Sequence, residues 1–278
     1  MLTLVDCSLL NCCTYSCTGC ISGSTPASAI NHEMPDGTIR AIYQNNGVTI
    51  KPVILVNFIR NHFLPSECFI QLSGGEPTLH DAFIPLVHAL SSMGYRLVVN
   101  TNGNQLKNLS KQEAIEQWPI KWRCSWHNQF RSLDKFIEDI EPLNKENVLV
   151  NYIAKPWQIE TRETEKDIED LDKTGYLYEV TGWQGKYSDK EFDKNSKLYR
   201  PYLTAFKDYV KAPAIETNYI AIQANGSITR CHKVGIGNIY KNQLRERYPQ
   251  AKQICAYEEN GNTNCGLVQS LYLLGLIA

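Results

Sequence analysis

The residues best suited to chemistry are Cys13, Cys17 and Cys20, in the run Cys-Cys-Thr-Tyr-Ser-Cys-Thr-Gly-Cys. They follow the apolar, strand-like stretch Leu2 to Leu10, so one tight loop can turn three thiols toward a single point. Thiolates are soft ligands that suit zinc, copper(I) or iron-sulfur centres. A structural zinc site usually takes four protein ligands, often in two pairs, and this local set stops at three. An iron-sulfur cube held by three cysteines leaves one iron open to another ligand. Cys12 directly precedes Cys13, but only Cys13 leaves a gap of three residues before Cys17. Zinc and buried free thiols are the competing readings.

A second element, Leu72-Ser73-Gly74-Gly75-Glu76-Pro77-Thr78-Leu79, closes another strand-like run. Alone, Gly74-Gly75 reads as an ordinary turn. With the cysteine run, in this order, the sequence resembles the radical S-adenosylmethionine (radical SAM) superfamily. That family carries Cys-x3-Cys-x2-Cys after its first strand and Gly-Gly-Glu-Pro at the end of its second. The family often has an aromatic residue just before the third cysteine, near the adenine; here that position is Gly19, and Tyr15 is the nearest aromatic.

The resemblance implies an enzyme in which Cys13, Cys17 and Cys20 hold a 4Fe-4S cluster whose open iron binds S-adenosylmethionine. One electron then cleaves the cofactor to methionine and a 5′-deoxyadenosyl radical, which abstracts hydrogen from substrate. It also implies that Ser73, Gly74, Gly75, Glu76 and Pro77 lie against the methionine part. Glycine there lets the backbone approach closely, and Glu76 adds charge complementarity. Asn102, Ser125 and His127 are expected partners for the ribose hydroxyls or the carboxylate. No residue is marked as general base or hydrogen donor.

These residues need elements to position them, and the pattern supplies an alternation. Pro52 opens a helix to about Phe63; Cys68 to Leu72 reads as a strand, Ala82 to Met93 as a helix closed by Gly94, and Arg96 to Thr101 as a strand. Lys111 to Trp118 reads as a helix, Ile120 to Trp126 as a strand, Leu133 to Ile140 as a helix, and Val148 to Ala154 as a strand. Ile159 to Lys173 is a charged helix stopped by Gly175, and Tyr176 to Val180 is a sixth strand. Strands alternating with helices argue for a parallel α/β sheet, and six of them match the partial (β/α)6 barrel that the resemblance implies. Such sheets place chemistry at the carboxyl ends of their strands. Gly74 to Glu76, Asn100 and Asn102, Ser125 and His127, and Asn151 and Lys155 fall there. In the fourth strand Trp122, Cys124 and Trp126 share one face, and Arg123, Ser125 and His127 the other, which lines the barrel or else forms an exposed edge. Ile21 to Gly47 has no regular period and reads as a long loop with a short helix over the cluster or substrate.

The expected division is a barrel over 1–184, a crossover over 185–217 and a small extension over 218–278. The extension opens with a hairpin, Tyr219 to Gln223 and Ser227 to Arg230 around Asn225-Gly226, a strong hairpin signal. Cys231, Gly237-Asn238-Ile239, a helical stretch Gln243 to Lys252, Cys255 and Cys265 follow. This order resembles a shortened SPASM or twitch extension, which implies an auxiliary 4Fe-4S cluster on Cys231, Cys255 and Cys265. Cys7, Cys12, Cys68, Cys124 and His232 are candidates for a fourth ligand. A zinc site or three unrelated thiols remain the alternatives, since paired C-x2-C spacing is missing.

Length and charge bound the partners. The 278 residues suffice for one large domain with an appendage, and 28 basic against 29 acidic residues make no global basic field for nucleic acid. Ten cysteines are too sparse for a disulfide scaffold. The N-terminus lacks the basic start of a secretory signal, and no apolar run reaches membrane-helix length, so a reduced cytoplasm is the expected setting. A flavodoxin- or ferredoxin-type donor is the implied reductant. Twitch-type extensions imply two substrate classes: a ribosomally made peptide to be cross-linked or oxidised, or a small sugar or cyclitol to be dehydrogenated. No separate domain precedes Leu2, so a leader peptide is expected to need a partner protein or the barrel itself. An activating enzyme or an electron-transfer module is the third reading, and Gly-Gly-Glu-Pro counts against a passive module.

Overall fold

The computed structural model describes residues 2–15, 17, 25–26, 28–33, 39–44, 48–154, 162–182, 217–230 and 235–244. Strand β1 (Leu2–Ser8) leads to the short pair β2 (Cys12–Cys13) and β3 (Thr25–Pro26), then to the antiparallel hairpin β4 (Ser28–Glu33) and β5 (Ile39–Gln44). The alternation follows as α1 (Pro52–His62), β6 (Cys68–Ser73), α2 (Phe83–Ser92), β7 (Arg96–Thr101) and α3 (Leu106–Ser110). It continues through β8 (Ile120–Trp126), α4 (Leu133–Ile140), β9 (Val148–Ala154), α5 (Arg162–Thr174) and β10 (Leu177–Gly182). Strands β11 (Thr217–Ile222), β12 (Ser227–Arg230), β13 (Gly235–Asn238) and β14 (Gln243–Leu244) complete the described chain.

Ten of these strands form one sheet in the order β10-β9-β8-β7-β6-β1-β11-β12-β13-β14. From β10 to β11 every pairing is parallel, as crossover helices require. The expected α/β class and the six-strand parallel alternation are therefore present. The expected hairpin at Asn225-Gly226 is present too, with Ala221 opposite Thr229 and Gly226 at φ 81°. It is continuous with the main sheet, because β11 pairs with β1 from Leu2↔Thr217 to Cys7↔Ile222.

The core lies between the helices and one face of the sheet. Leu55, Phe58 and Ile59 of α1 and Phe83, Leu86, Val87 and Leu90 of α2 pack there with Cys7, Ile70, Leu72, Val99, Trp122, Cys124 and Tyr152. Each large apolar side chain so buried contributes about 1.5–3 kcal/mol. Trp122 stacks on Trp118, and Trp126 stacks on Tyr152 and Phe136, so the tryptophan face of β8 is the helix-covered one. The opposite face is polar at Asp6, Gln71, Asn100, Arg123, Ser125, Asn151 and Glu179, which the parallel registers set in adjacent rows. Arg123 is not an exposed edge residue. Its Nε and Nη2 reach Glu179 Oε1 at 2.8 and 2.7 Å across the intervening β9.

Three expectations are corrected. The helix expected over Lys111 to Trp118 is instead α3, which starts five residues upstream at Leu106, followed by a 3-10 turn at Ile115–Gln117. Buried Ile115 and Trp118, three residues apart, suit the tighter turn, whose Trp118 N–H bonds the Ile115 carbonyl. Within the expected loop Ile21 to Gly47, β4 pairs with β5 from Ser28↔Gln44 to Glu33↔Ile39. The missed signal is Pro35-Asp36-Gly37, a turn sequence between two short runs. Gln243–Leu244 is a strand paired with Gly237–Asn238 and not the start of a helix; the rest of that expected helix lies outside the described residues. Among the described residues no helix is long and apolar enough to cross a membrane.

Candidate active site

The chain leaves β1 at Ser8 and runs directly across the end of β6. Leu9 N–H bonds the Ser73 carbonyl at 2.9 Å, and the next turn is held from the other side by two more backbone bonds. Gly75 N–H donates to the Leu10 carbonyl and Glu76 N–H to the Cys12 carbonyl, each at 2.8 Å. The Gly-Gly-Glu-Pro turn therefore lies flat on the segment that carries the first cysteine. This contact explains both glycines. A Cβ on Gly75 would stand 2.0 Å from the Cys12 oxygen, and one on Gly74, whose φ is 127°, would stand 2.4 Å from the Leu10 oxygen. No side chain fits at either position without moving backbone.

Glu76 continues the clamp. Its carboxylate is fully buried and accepts from the Thr78 N–H, the Thr78 and Thr101 hydroxyls and the Asn102 N–H at 3.2, 2.5, 2.6 and 2.7 Å. Burial raises its pKa, and these hydrogen bonds oppose the rise. Asn102, placed by Glu76, turns its Nδ2 to Thr14 Oγ1 at 2.9 Å and to Cys13 Sγ at 3.5 Å. Cys13 Sγ also receives the Tyr15 N–H at 3.4 Å. Two N–H donors on one sulfur favour its thiolate form. Arg131 closes the network from behind, donating to the Asn102 carbonyl and, at 2.5 Å, to Asp139 of α4.

Cys17 lies beside the end of β8. His127 Nδ1 stands 3.8 Å from its Sγ, and burial, helped by Arg131, pushes the imidazole down to about 4. Tyr15 packs edge-on to His127 with centroids 5.6 Å apart and stacks flat on Phe130 at 4.5 Å. Among the described residues no three Cys, His, Asp or Glu side chains converge as a metal site, and Cys20 lies outside them. The soft sulfur ligands, the donors aimed at Cys13 and the loop's place at the strand ends fit an iron-sulfur cluster.

No protein-family model and no curated protein matches the sequence. Solved structures do. SuiB of Streptococcus suis bound to S-adenosylmethionine is similar with a TM-score of 0.53 at 12% identity, over 97% of this chain and 71% of that one. SuiB bound to its precursor peptide SuiA has a TM-score of 0.51 at 13% identity, over 97% and 70%. The chain shares the α/β fold of SuiB.

Within this fold, the first part of the cysteine run, Leu10 to Cys13, meets Gly74 to Glu76 at the carboxyl ends of β1 and β6, while Cys17 lies against His127. Several expected cofactor contacts are engaged elsewhere. Ser73 Oγ donates to Asp6 at 2.5 Å, Glu76 faces inward, and the Asn102 amide holds the cysteine loop. Pro77 is buried at the start of a 3-10 turn. Ser125 lies on the polar face, receiving Asn151 Nδ2 at 3.4 Å. Cys231, His232, Cys255, Cys265 and Lys155 lie outside the described residues. Cys7, Cys12, Cys68 and Cys124 are buried, and burial raises the Cys7, Cys68 and Cys124 thiols, Cys68 to about 12. Motif reading missed Thr14, an unspecified position between Cys13 and Cys17, and Phe130 and Arg131, which belong to no motif; all three act through residues far away in sequence.

Proposed function

We propose that this chain is a radical SAM enzyme that modifies a ribosomally made peptide by cross-linking or oxidation. The observation that carries the reading is the docking of the Gly74-Gly75-Glu76 turn onto the Leu10 to Cys13 segment through two backbone hydrogen bonds. Cys13, Cys17 and Cys20 would hold a 4Fe-4S cluster which, when bound with S-adenosylmethionine, supplies the electron and open iron for reductive cleavage to a 5′-deoxyadenosyl radical. The chain's own residues bind and orient. Asn102 and the Tyr15 N–H stabilise the Cys13 sulfur as an anion, and Glu76 and Arg131 fix Asn102 in place. Cys13 is 8% exposed.

The peptide substrate rests on the similarity to SuiB, whose structure holds a precursor peptide. The polar face with Arg123, Asn100 and Glu179 favours a second reading, a small sugar or cyclitol. In either case Cys231, Cys255 and Cys265 are proposed to hold an auxiliary cluster, and a flavodoxin- or ferredoxin-type protein to deliver the electron.

The test is anaerobic reconstitution with iron and sulfide, followed by reduction with S-adenosylmethionine and assay for 5′-deoxyadenosine. Wild type should form it, and the variant with Cys13, Cys17 and Cys20 all replaced by Ala should not. If that variant retains about four irons, the auxiliary cluster is supported. A fully loaded wild type that forms no 5′-deoxyadenosine would end the radical SAM reading. A mass change in a peptide encoded beside the gene, against one in a sugar, separates the two substrate classes.

A further inference from the structure

The hairpin of β4 and β5 forms a sheet of its own, yet both of its feet are rooted in the cysteine run. Strand β3 pairs with β2 through Cys12↔Thr25 and Cys13↔Pro26, and β4 begins two residues after Pro26. At the other foot, four residues past Gln44, the Val48 carbonyl accepts the Asn11 N–H at 3.2 Å and the Val48 N–H donates to Asn11 Oδ1 at 2.7 Å. Thr49 then bridges Leu10. The hairpin therefore stands on the same Leu10 to Cys13 segment that the Gly75 and Glu76 N–H groups hold.

The two strands pair over six positions, and among the described residues neither has a second strand beside it. A two-stranded hairpin is marginal alone, and a third strand stabilises it. Exposed edges are normally blunted by Pro, Lys, bulges, shortness or an inward charge. The ends of the main sheet follow that rule: β14 has two residues, β13 meets β12 across a register shift, and β10 turns buried Glu179 inward to Arg123. The hairpin does not. Neither β4 nor β5 contains Pro or Lys, their register runs without a shift, and the pairs nearest the feet, Ser28↔Gln44 to Asn31↔Ala41, are uncharged.

We propose that this hairpin edge docks the substrate peptide as an added strand and leads it to the cysteine run. The inference rests on the peptide reading above and deepens it, since a sugar has no backbone to add. An edge of this kind recognises an extended polypeptide through main-chain bonds, whichever side chain is to be modified. Six residues span about 20 Å, and the peptide residues that continue past the feet arrive beside the Cys12 and Cys13 backbone.

The experiment is residue-resolved amide hydrogen exchange on the reconstituted full chain, with and without the short peptide encoded beside its gene, together with a mass assay for modification of that peptide. Because edge N–H groups alternate in direction, the peptide should slow exchange about tenfold or more at alternate residues of one strand, Ser28–Glu33 or Ile39–Gln44. Ile30→Pro or Asn31→Pro in β4, or Ala41→Pro or Ile42→Pro in β5, whichever removes a slowed N–H, should weaken peptide binding about three- to tenfold. Iron content and peptide-free cleavage of S-adenosylmethionine should stay as in wild type. A peptide that is modified while exchange in both strands is unchanged overturns the docking and leaves the peptide reading standing. Uniform slowing along both strands also overturns it, since that reports stiffening of the hairpin. Alternate slowing that grows with protein concentration in the absence of peptide assigns the edge to a second copy of this chain instead. A chain that cleaves S-adenosylmethionine but neither binds nor modifies the peptide, or a gene with no such peptide beside it, overturns the peptide reading, and the docking falls with it.

Discussion

The Glu76 carboxylate and the Asn102 backbone are joined directly, with Oε2 accepting the Asn102 N–H at 2.7 Å inside a fully buried site. This bond ties the end of β6 to the end of β7 and aims the Asn102 amide at Thr14 and Cys13. Glu76→Ala strands two backbone N–H groups and two hydroxyls, and an unsatisfied buried donor costs about 1–3 kcal/mol. We expect the urea midpoint to fall by an amount equivalent to about 3 kcal/mol or more. Glu76→Gln keeps one acceptor for Asn102 and should cost about 1 kcal/mol. Equal midpoints for wild type and the Ala variant would show that the clamp does not hold the site.

Gly75→Ala should be far more damaging than Gly94→Ala, although Gly75 is not among the glycines with positive φ. The added methyl would overlap the Cys12 carbonyl oxygen at 2.0 Å, so β2 must move. A cost of about 3 kcal/mol or more, with loss of iron uptake, is expected. At Gly94, φ is 85° and the nearest atom, Pro65 Cβ, is 3.8 Å away, so only the left-handed backbone resists, at about 1–2 kcal/mol. Thermal melts of both variants, with iron content after reconstitution, decide the order.

Asp6 predicts a pH effect. It receives the Ser73 and Tyr219 hydroxyls, the latter at 2.8 Å from β11, and faces Gln71 and Arg123. Burial still outweighs these partners and raises its pKa above 3.8. The folded state thus binds the proton more tightly than the unfolded state. The contribution to stability is complete below the unfolded pKa and is lost as pH rises through the folded one. Asp6→Asn removes this dependence. The stability difference between wild type and variant, measured by urea titration from pH 8 to pH 4, should therefore shift in favour of wild type as pH falls. A difference independent of pH would refute the assignment.

Arg123 and Glu179 are 12% and 6% exposed at their side chains, so removing one leaves the other buried without its ion partner. Arg123→Ala should cost about 3–5 kcal/mol, whereas Arg123→Met with Glu179→Leu should recover most of the loss. Urea unfolding of the single and double variants checks this. A double-variant loss equal to the sum of the losses of the two single variants would mean that the side chains act independently.

Much of the secondary structure was legible because its signals are local. The strands Arg96–Thr101, Ile120–Trp126 and Val148–Ala154 and the helix Leu133–Ile140 have their expected bounds. Ile120–Trp126 is marked by alternation at period two, Leu133–Ile140 by a helical period behind the Ser132 cap, and the other two by short, largely apolar runs. The cysteine run and the glycine pair pointed to a common site through their joint resemblance to the motifs of a known family. The sequence could not disclose who touches whom. Gly74 and Gly75 are small because the Leu10 to Cys12 backbone lies on them, and Glu76 and Asn102 turn inward to hold that segment. Tyr15 and Phe130 stack although more than a hundred residues separate them. Spacing along a chain reports the composition of a site; hydrogen-bond direction, burial and ring contact depend on segments that meet only when the parallel sheet brings its strand ends together.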